Sequence, residues 1–365
     1  MSPRLQALYV VRSDGHAIEA RARALAVEQS VEMPVSAIDD EFVRAEIVGQ
    51  VDAIRERSES LFEVRITLSS ESVGDDAGQL LNMLFGNSSL QDDVVLGDVS
   101  LPAEVMRNFG GPHHGLAELR RRVGAADRAL TCSALKPQGL APARLVQLAL
   151  QFAEGGVDYI KDDHGLADQT YSPFALRVPP IAEALRRLGH AARYAPNLSG
   201  DLDDMRRQIG IARDAGVDTV LAAPMLMGFA NFHRLVADNA DLAFIAHPSM
   251  AGAARIAPPL LMGKLFRLMG VDAVVFPHHG GRFGYSLDTC RALANAAVDR
   301  QNGLLPCVPV PAGGMTPARV PEVLDFYGPE VMLLIGGALL ESREQLTAAT
   351  ADFVGQVHRH SFGRA

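Results

Sequence analysis

The sequence predicts an α/β protein: a C-terminal (β/α)8 TIM barrel, residues 126–365, preceded by an N-terminal α+β ferredoxin-like domain, residues 1–125. Three observations carry the barrel. From residue 129 onward, short apolar strands alternate with amphipathic helices eight times, the count and length that close such a barrel. The phrase Gly-Val-Asp precedes three strands, at 156–158, 216–218 and 270–272, which reads as shared turn chemistry between helix and strand. Polar residues collect where strands end, the face at which such barrels place their chemistry. An open doubly wound sheet is the rival architecture.

In the N-terminal part, "RARALAVEQSV" has helical character, "LFEVRITLS" alternates like a half-buried strand, and "AGQLLNMLFGN" returns to an apolar helix. The eight units are then "ALTCSAL" with 140–154, "VDYI" with 173–189, "ARYAPN" with 201–214 and "TVLAAPM" with 229–238. They continue as "AFIAH" with 257–269, "AVVFPH" with 287–301, "LLPCVPV" with 316–327 and "VMLLIGG" with 340–357. Strand ends bring Lys136, Lys161 to His164, Asn197, His247, His278 and His279 to one face, and glycine pairs Gly313-Gly314 and Gly336-Gly337 end the last two strands.

Composition narrows the partners. The chain has 365 residues, 48% hydrophobic and 21% charged, with a formal charge of -9 and a pI near 5.7. That balance argues against a nucleic-acid or anionic-membrane surface and for small-molecule ligands. Cys132, Cys290 and Cys307 lack paired spacing, as expected of reduced, buried thiols in a cytoplasmic protein. No apolar run reaches the roughly 18 residues that cross a bilayer, and no signal-like N-terminus precedes the first strand.

The stretch "GGVDYIKDDHG" poses the chemical question. Alternation along the strand sends Lys161 and Asp163 to one side and Asp162 to the other, with His164 entering the loop. Asp163 and His164 suit a divalent cation, whereas an ammonium does not. Lys161 therefore has three readings: an ion pair with Asp163, a desolvated base or Schiff-base amine, or a carbamate formed with carbon dioxide that becomes an anionic ligand.

"GGVDYIKDDHGLADQTYSPF", with "ALKPQGL", "FGGPHHG", "PAGGMTP" and "LLIGGALL", resembles the RuBisCO large-subunit superfamily, whose motif runs G-G-x-D-x-x-K-D-D-E. The resemblance covers nearly the whole chain. It implies a carbamylated Lys161 that holds Mg²⁺ together with Asp163 and, in place of the family's glutamate, His164. His247 keeps a family histidine, but Pro248 stands where carboxylases carry arginine, Tyr285 lies near the position of the mobile-loop lysine, Ala312 replaces a serine and Gln138 replaces a second lysine. Each lost charge-assisted contact is worth about 1.5 to 3 kcal/mol, so carboxylation of ribulose bisphosphate is not expected. The chain resembles the RuBisCO-like, form IV, group.

The resemblance further implies one phosphate site at Gly313, Gly314, Gly336 and Gly337, although glycines there also simply turn the chain. Arg282 is a candidate for an anion in a different place, and Asn197, His247 and His278 for contacts to substrate; a strand-end histidine is as often satisfied by backbone. Lys136 resembles the family's proton-shuttling lysine, its bland alternative being a solvated amine. Glu28, with Asn82 or Asn87 nearby, resembles the glutamate that one subunit lends to another, which implies a homodimer or larger homo-oligomer without a small subunit.

The leading expectation is a Mg²⁺-dependent decarboxylase of a monophosphorylated 3-oxo sugar acid, as in the 3-oxo-isoapionate-4-phosphate decarboxylase branch, passing through an enediolate. The alternative forms the same intermediate by proton abstraction, as in methionine-salvage enolases and isomerases. A non-catalytic sugar-phosphate binder and a zinc hydrolase using His247 and His278 are the other readings.

Overall fold

The computed structural model describes residues 3–301 and 303–362. Four strands open the chain: β1 (Arg4–Arg12), β2 (Gln50–Ser58), β3 (Leu61–Ser69) and β4 (Val94–Ser100). They form an antiparallel sheet in the order β2-β3-β1-β4. With helices Ile18–Glu28 and Ala77–Phe85 between them, this is the split βαβ arrangement of a ferredoxin-like fold. Leu5, Ala7, Tyr9 and Val11 alternate on the buried face of β1. The sequence reading names β3 and both helices but leaves β1, β2 and β4 unassigned.

Eight parallel strands follow: β5 (Leu130–Leu135), β6 (Tyr159–Asp162), β7 (Arg193–Ala195), β8 (Thr219–Ala222), β9 (Ala243–Ala246), β10 (Ala273–Pro277), β11 (Val308–Ala312) and β12 (Met332–Leu334). They pair in two runs, β12-β5-β6-β7 and β8-β9-β10-β11. Leu198 N to Leu221 O and Leu221 N to Pro196 O, both 2.8 Å, join the runs on one side, and β11 lies against β12 on the other. The closed barrel excludes the open doubly wound sheet.

Strand alternation divides each barrel strand between interior and helical layer. Leu130, Cys132, Tyr159, Ile245, Val275 and Val310 fill the interior, whose floor is plugged by Leu116 and Leu119 of the helix Gly115–Arg122. Tyr159 OH donates to Leu119 O at 2.9 Å. The Gly-Val-Asp aspartates do more than turn the chain. Asp158 accepts from Arg128 and from Thr131 N, Asp272 accepts from the amides of His114, Gly115 and Phe244, and Asp218 faces Arg122 and Arg193. Each carboxylate ties the base of a strand to its neighbours.

Boundaries differ from expectation in two places that matter. β6 reaches Asp162, so Lys161 sits within the strand rather than after it. The helix expected at 257–269 is a π-type turn, Pro259–Leu265, running into Phe266–Leu268. All three cysteines are buried and free. Among the described residues no helix is long and apolar enough to cross a membrane.

Candidate active site

At the C-terminal mouth of the barrel lies a cavity of about 460 Å³. The alternation that puts Ala134 and Tyr159 inside carries Lys136, Lys161 and Asp163 inside as well, and the same count along β9 brings in His247. Lys136 Nζ stands 2.7 Å and His164 Nδ1 3.2 Å from Asp163 Oδ1. Neither meets hydrogen-bond geometry at that oxygen, so the Lys136 contact is an ion pair and the His164 contact a close approach of ring and carboxylate. Gln138 Nε2 reaches Asp163 Oδ2 at 3.4 Å, crossing Gly165, where a Cβ would lie 1.6 Å from the amide nitrogen.

Electrostatics follow from burial. Lys161 is 3% exposed and donates a hydrogen bond to the carbonyl of Asp162, at 2.8 Å. Burial pushes its amine down, toward the neutral form, against the pull of Asp163. Burial would raise the Asp163 carboxyl, but His164, Lys136 and the Lys161 charge hold it well below the usual carboxylate range. The His247 ring stacks on His164 at 3.9 Å and 6°, with Nδ1 2.8 Å from Ser249 Oγ. Burial and then the charge of Lys161 hold it down to about 2, so it is neutral.

Apolar Pro248, Met250, Ala251, Val275, Pro277 and Phe283 line the same cavity, together with Tyr285. Met250 holds a left-handed φ of 63°, a strain that non-glycine residues keep chiefly at functional sites. Arg282 lies at the mouth with its guanidinium 5.3 Å from the Phe283 ring centroid. Its backbone N donates to Gly313 O at 2.9 Å. Gly313 and Gly314 have φ of 88° and 100°, and a Cβ on Gly281 would meet Gly313 O at 2.2 Å. The loop after β10 thus folds onto the end of β11 through glycines that a side chain would wedge apart. Gly336 lies beside the Lys136 stem, which a Cβ there would meet at 3.8 Å, and Gly337 begins the short helix Gly337–Leu340.

Three expected residues stand elsewhere. His278 continues β10 on its outer face: it is 1% exposed, its Nδ1 lies 3.1 Å from Tyr327 OH, and its ring packs against His279 and Tyr327. Pro277 lines the cavity in its place. Asn197 spends its side-chain amide on the carbonyls of His164 and Leu166, which makes it a support for the β6 loop rather than a substrate contact. Glu28, the last residue of the helix Ile18–Glu28, accepts from Asn87 Nδ2 at 2.9 Å and does not line this cavity; Asn82 bonds to Gln79.

Among the described residues no three His, Cys, Asp or Glu side chains gather as metal ligands. Asp163 and His164 offer two donors, and the unmodified amine of Lys161 adds none as an ammonium. The set fits a divalent cation once Lys161 carries a carbamate. A zinc centre on His247 and His278 does not fit, because the barrel wall separates the two side chains' faces.

The profile of the ribulose bisphosphate carboxylase large chain, catalytic domain, matches residues 115–351. The sequence is 58% identical over 362 residues to 5-methylthioribulose-1-phosphate isomerase of Rhodospirillum rubrum, covering 98% of this chain and 97% of that protein. It is 55% identical over 364 residues to ribulose bisphosphate carboxylase-like protein 1 of Rhodopseudomonas palustris, covering 99% of each. A crystal structure of a Rubisco-like protein from Rhodopseudomonas palustris aligns over all of both chains with a TM-score of 0.93 at 52% identity.

Proposed function

The chain belongs to the ribulose bisphosphate carboxylase large-chain family, and from that premise we propose that it isomerises a thioether-bearing pentulose phosphate of the 5-methylthioribulose 1-phosphate type. The observation that carries this reading is the mixed lining of one cavity: the charged groups Lys136, Lys161, Asp163 and His164 share it with apolar side chains, among them Met250, Val275, Pro277 and Phe283. The apolar side chains suit a methylthio tail, and outside the Lys136–Lys161 cluster Arg282 is the cation that the described lining offers to a second phosphate. The likeness to a named isomerase favours proton transfer over the decarboxylation of a 3-oxo sugar-acid phosphate expected from sequence, and over mere binding.

In this reading Lys136, as the neutral amine released from its ion pair with Asp163, takes the proton from the carbon beside the carbonyl, exchanges with solvent, and returns a proton to the neighbouring carbon. The low-lying amine of Lys161 attacks carbon dioxide, forming an N–C bond and releasing a proton to give the carbamate. Carbamylated Lys161, Asp163 and His164 would hold Mg²⁺. When bound, such an ion would supply positive charge that stabilises negative charge developing on substrate oxygen. Neutral His247 orients against Ser249 and offers Nε2 to a substrate hydroxyl. The phosphate belongs at the glycine ends of β11 and β12, Gly313, Gly314, Gly336 and Gly337, with Arg282 at the rim. Glu28 is assigned to a second copy's site in a homodimer. The test is turnover of 5-methylthioribulose 1-phosphate that requires Mg²⁺ and bicarbonate; turnover indifferent to both contradicts the assignment.

A further inference from the structure

On the outer face of β6, opposite the cavity, Asp162 and Arg177 form an ion pair in which both side chains are fully buried, with Arg177 NH2 3.0 Å from Asp162 Oδ2. Such a pair is weak evidence for stability, because apolar residues of similar volume commonly do as well. What distinguishes this one is where the remaining donors go. Arg177 NH1 donates to Ala167 O at 2.6 Å and Ser172 O at 2.9 Å, and NH2 to Leu166 O at 3.4 Å. Every one of those carbonyls belongs to the loop that begins with Asp163 and His164.

Both oxygens of Asp162 are equally committed. Tyr194 OH donates to Oδ1 at 2.7 Å and Asn197 N to Oδ2 at 3.0 Å. Asn197 then passes its side-chain amide to His164 O at 3.2 Å and Leu166 O at 2.9 Å. Leu166 N closes back on Asp163 O at 2.9 Å. One buried guanidinium and one buried carboxylate thereby fix both ends of a loop whose first two side chains face the cavity.

We infer that Arg177 is a positioning residue: it holds Asp163 and His164 in reactive geometry from behind the barrel wall by clamping the carbonyls of residues 166–172. The inference rests on the reading of Asp163 and His164 as the reactive side of the cavity, and its test separates the two. In Arg177→Met, hydrogen exchange of the amides of 164–172 rises about tenfold or more, the factor that 1.4 kcal/mol makes, while β6 and the helix Phe174–Leu188 exchange as in the wild type. Arg177→Lys, a single ammonium without a fork, shows the same local loosening. On 5-methylthioribulose 1-phosphate, kcat falls at least tenfold with KM within about twofold, as expected when reacting groups lose alignment but binding surfaces stay. Asn197→Ala removes the second latch and loosens the same segment, which keeps the test open if Arg177→Met does not fold. Exchange that rises uniformly across the barrel, or stays at wild-type rates over 164–172, overturns the inference. If the wild type does not turn over this substrate, the functional reading fails and the exchange arm decides the clamp alone.

Discussion

Lys136 Nζ lies 2.7 Å from Asp163 Oδ1, so the amine assigned to move the proton and the carboxylate assigned to hold the cation face each other across the mouth of β5 and β6. Lys136 is the more exposed partner, at 34% against 7%, and is therefore the one free to swing toward substrate. Lys136→Met is expected to lower kcat by about 10²- to 10⁴-fold, the usual weight of a general acid–base group. Binding of a phosphate-bearing substrate analogue, measured by calorimetry, is expected to survive. Loss of binding with little change in kcat would mean that another group moves the proton.

Lys161→Ala should abolish Mg²⁺- and bicarbonate-dependent turnover while leaving a cooperative thermal transition, since the residue makes a single hydrogen bond. A bicarbonate-dependent mass gain of the native protein, absent in the variant, checks the carbamate directly.

Met250→Gly relieves a left-handed backbone position, φ 63°, that costs an L-residue roughly 1 to 2 kcal/mol. The variant should melt at or above the wild-type temperature. It should also raise KM for a thioether-bearing substrate several-fold with kcat little changed, because it removes an apolar side chain from the cavity lining. A destabilised variant with an unchanged KM would place Met250 outside the subsite.

Burial holds His278 down to about 4 from its ordinary 6.5. The unfolded chain accordingly takes up a proton that the folded ring refuses as pH falls through 6.5 toward 4. Stability is present above 6.5 and lost below it. His278→Gln should remove this share of the acid sensitivity, on the order of 1 to 3 kcal/mol, read as a flatter urea midpoint against pH between 6.5 and 4. An unchanged slope would show that other groups carry the acid transition.

Gly155 ends the helix Pro142–Glu154 against Thr350, where a Cβ would sit 2.5 Å from Thr350 Cβ and 3.0 Å from Thr347 O. Gly155→Ala should cost about 1 to 3 kcal/mol by overpacking, checked by chemical denaturation, with KM unaffected because the contact lies outside the cavity.

The barrel was legible because its parallel strands, buried on both faces, read as short apolar runs between amphipathic helices. The placement of Lys161 and Asp163 together, with Asp162 opposite, followed from alternation on a single strand. The same alternation could have turned His278 outward, counting from Val275 and Pro277. In a barrel strand both faces are buried, however, so a polar residue at the strand end does not announce its side. Asn197 failed for a related reason: an amide at a strand end reads alike whether it meets substrate or the carbonyls of the next loop. Met250 carries no local signature of its positive φ. Arg177 did leave a signal, a lone arginine on the apolar face of "PFALRVPPIA", whose meaning depended on Asp162 lying behind the strand.

Product analysis in D₂O distinguishes proton transfer from loss of carbon dioxide. With Mg²⁺, bicarbonate and 5-methylthioribulose 1-phosphate, the wild type, and not Lys136→Met, should form an isomeric ketose phosphate carrying solvent deuterium at the reprotonated carbon. No conversion of that substrate, together with carbon dioxide release from a 3-oxo sugar-acid phosphate, would contradict proton transfer.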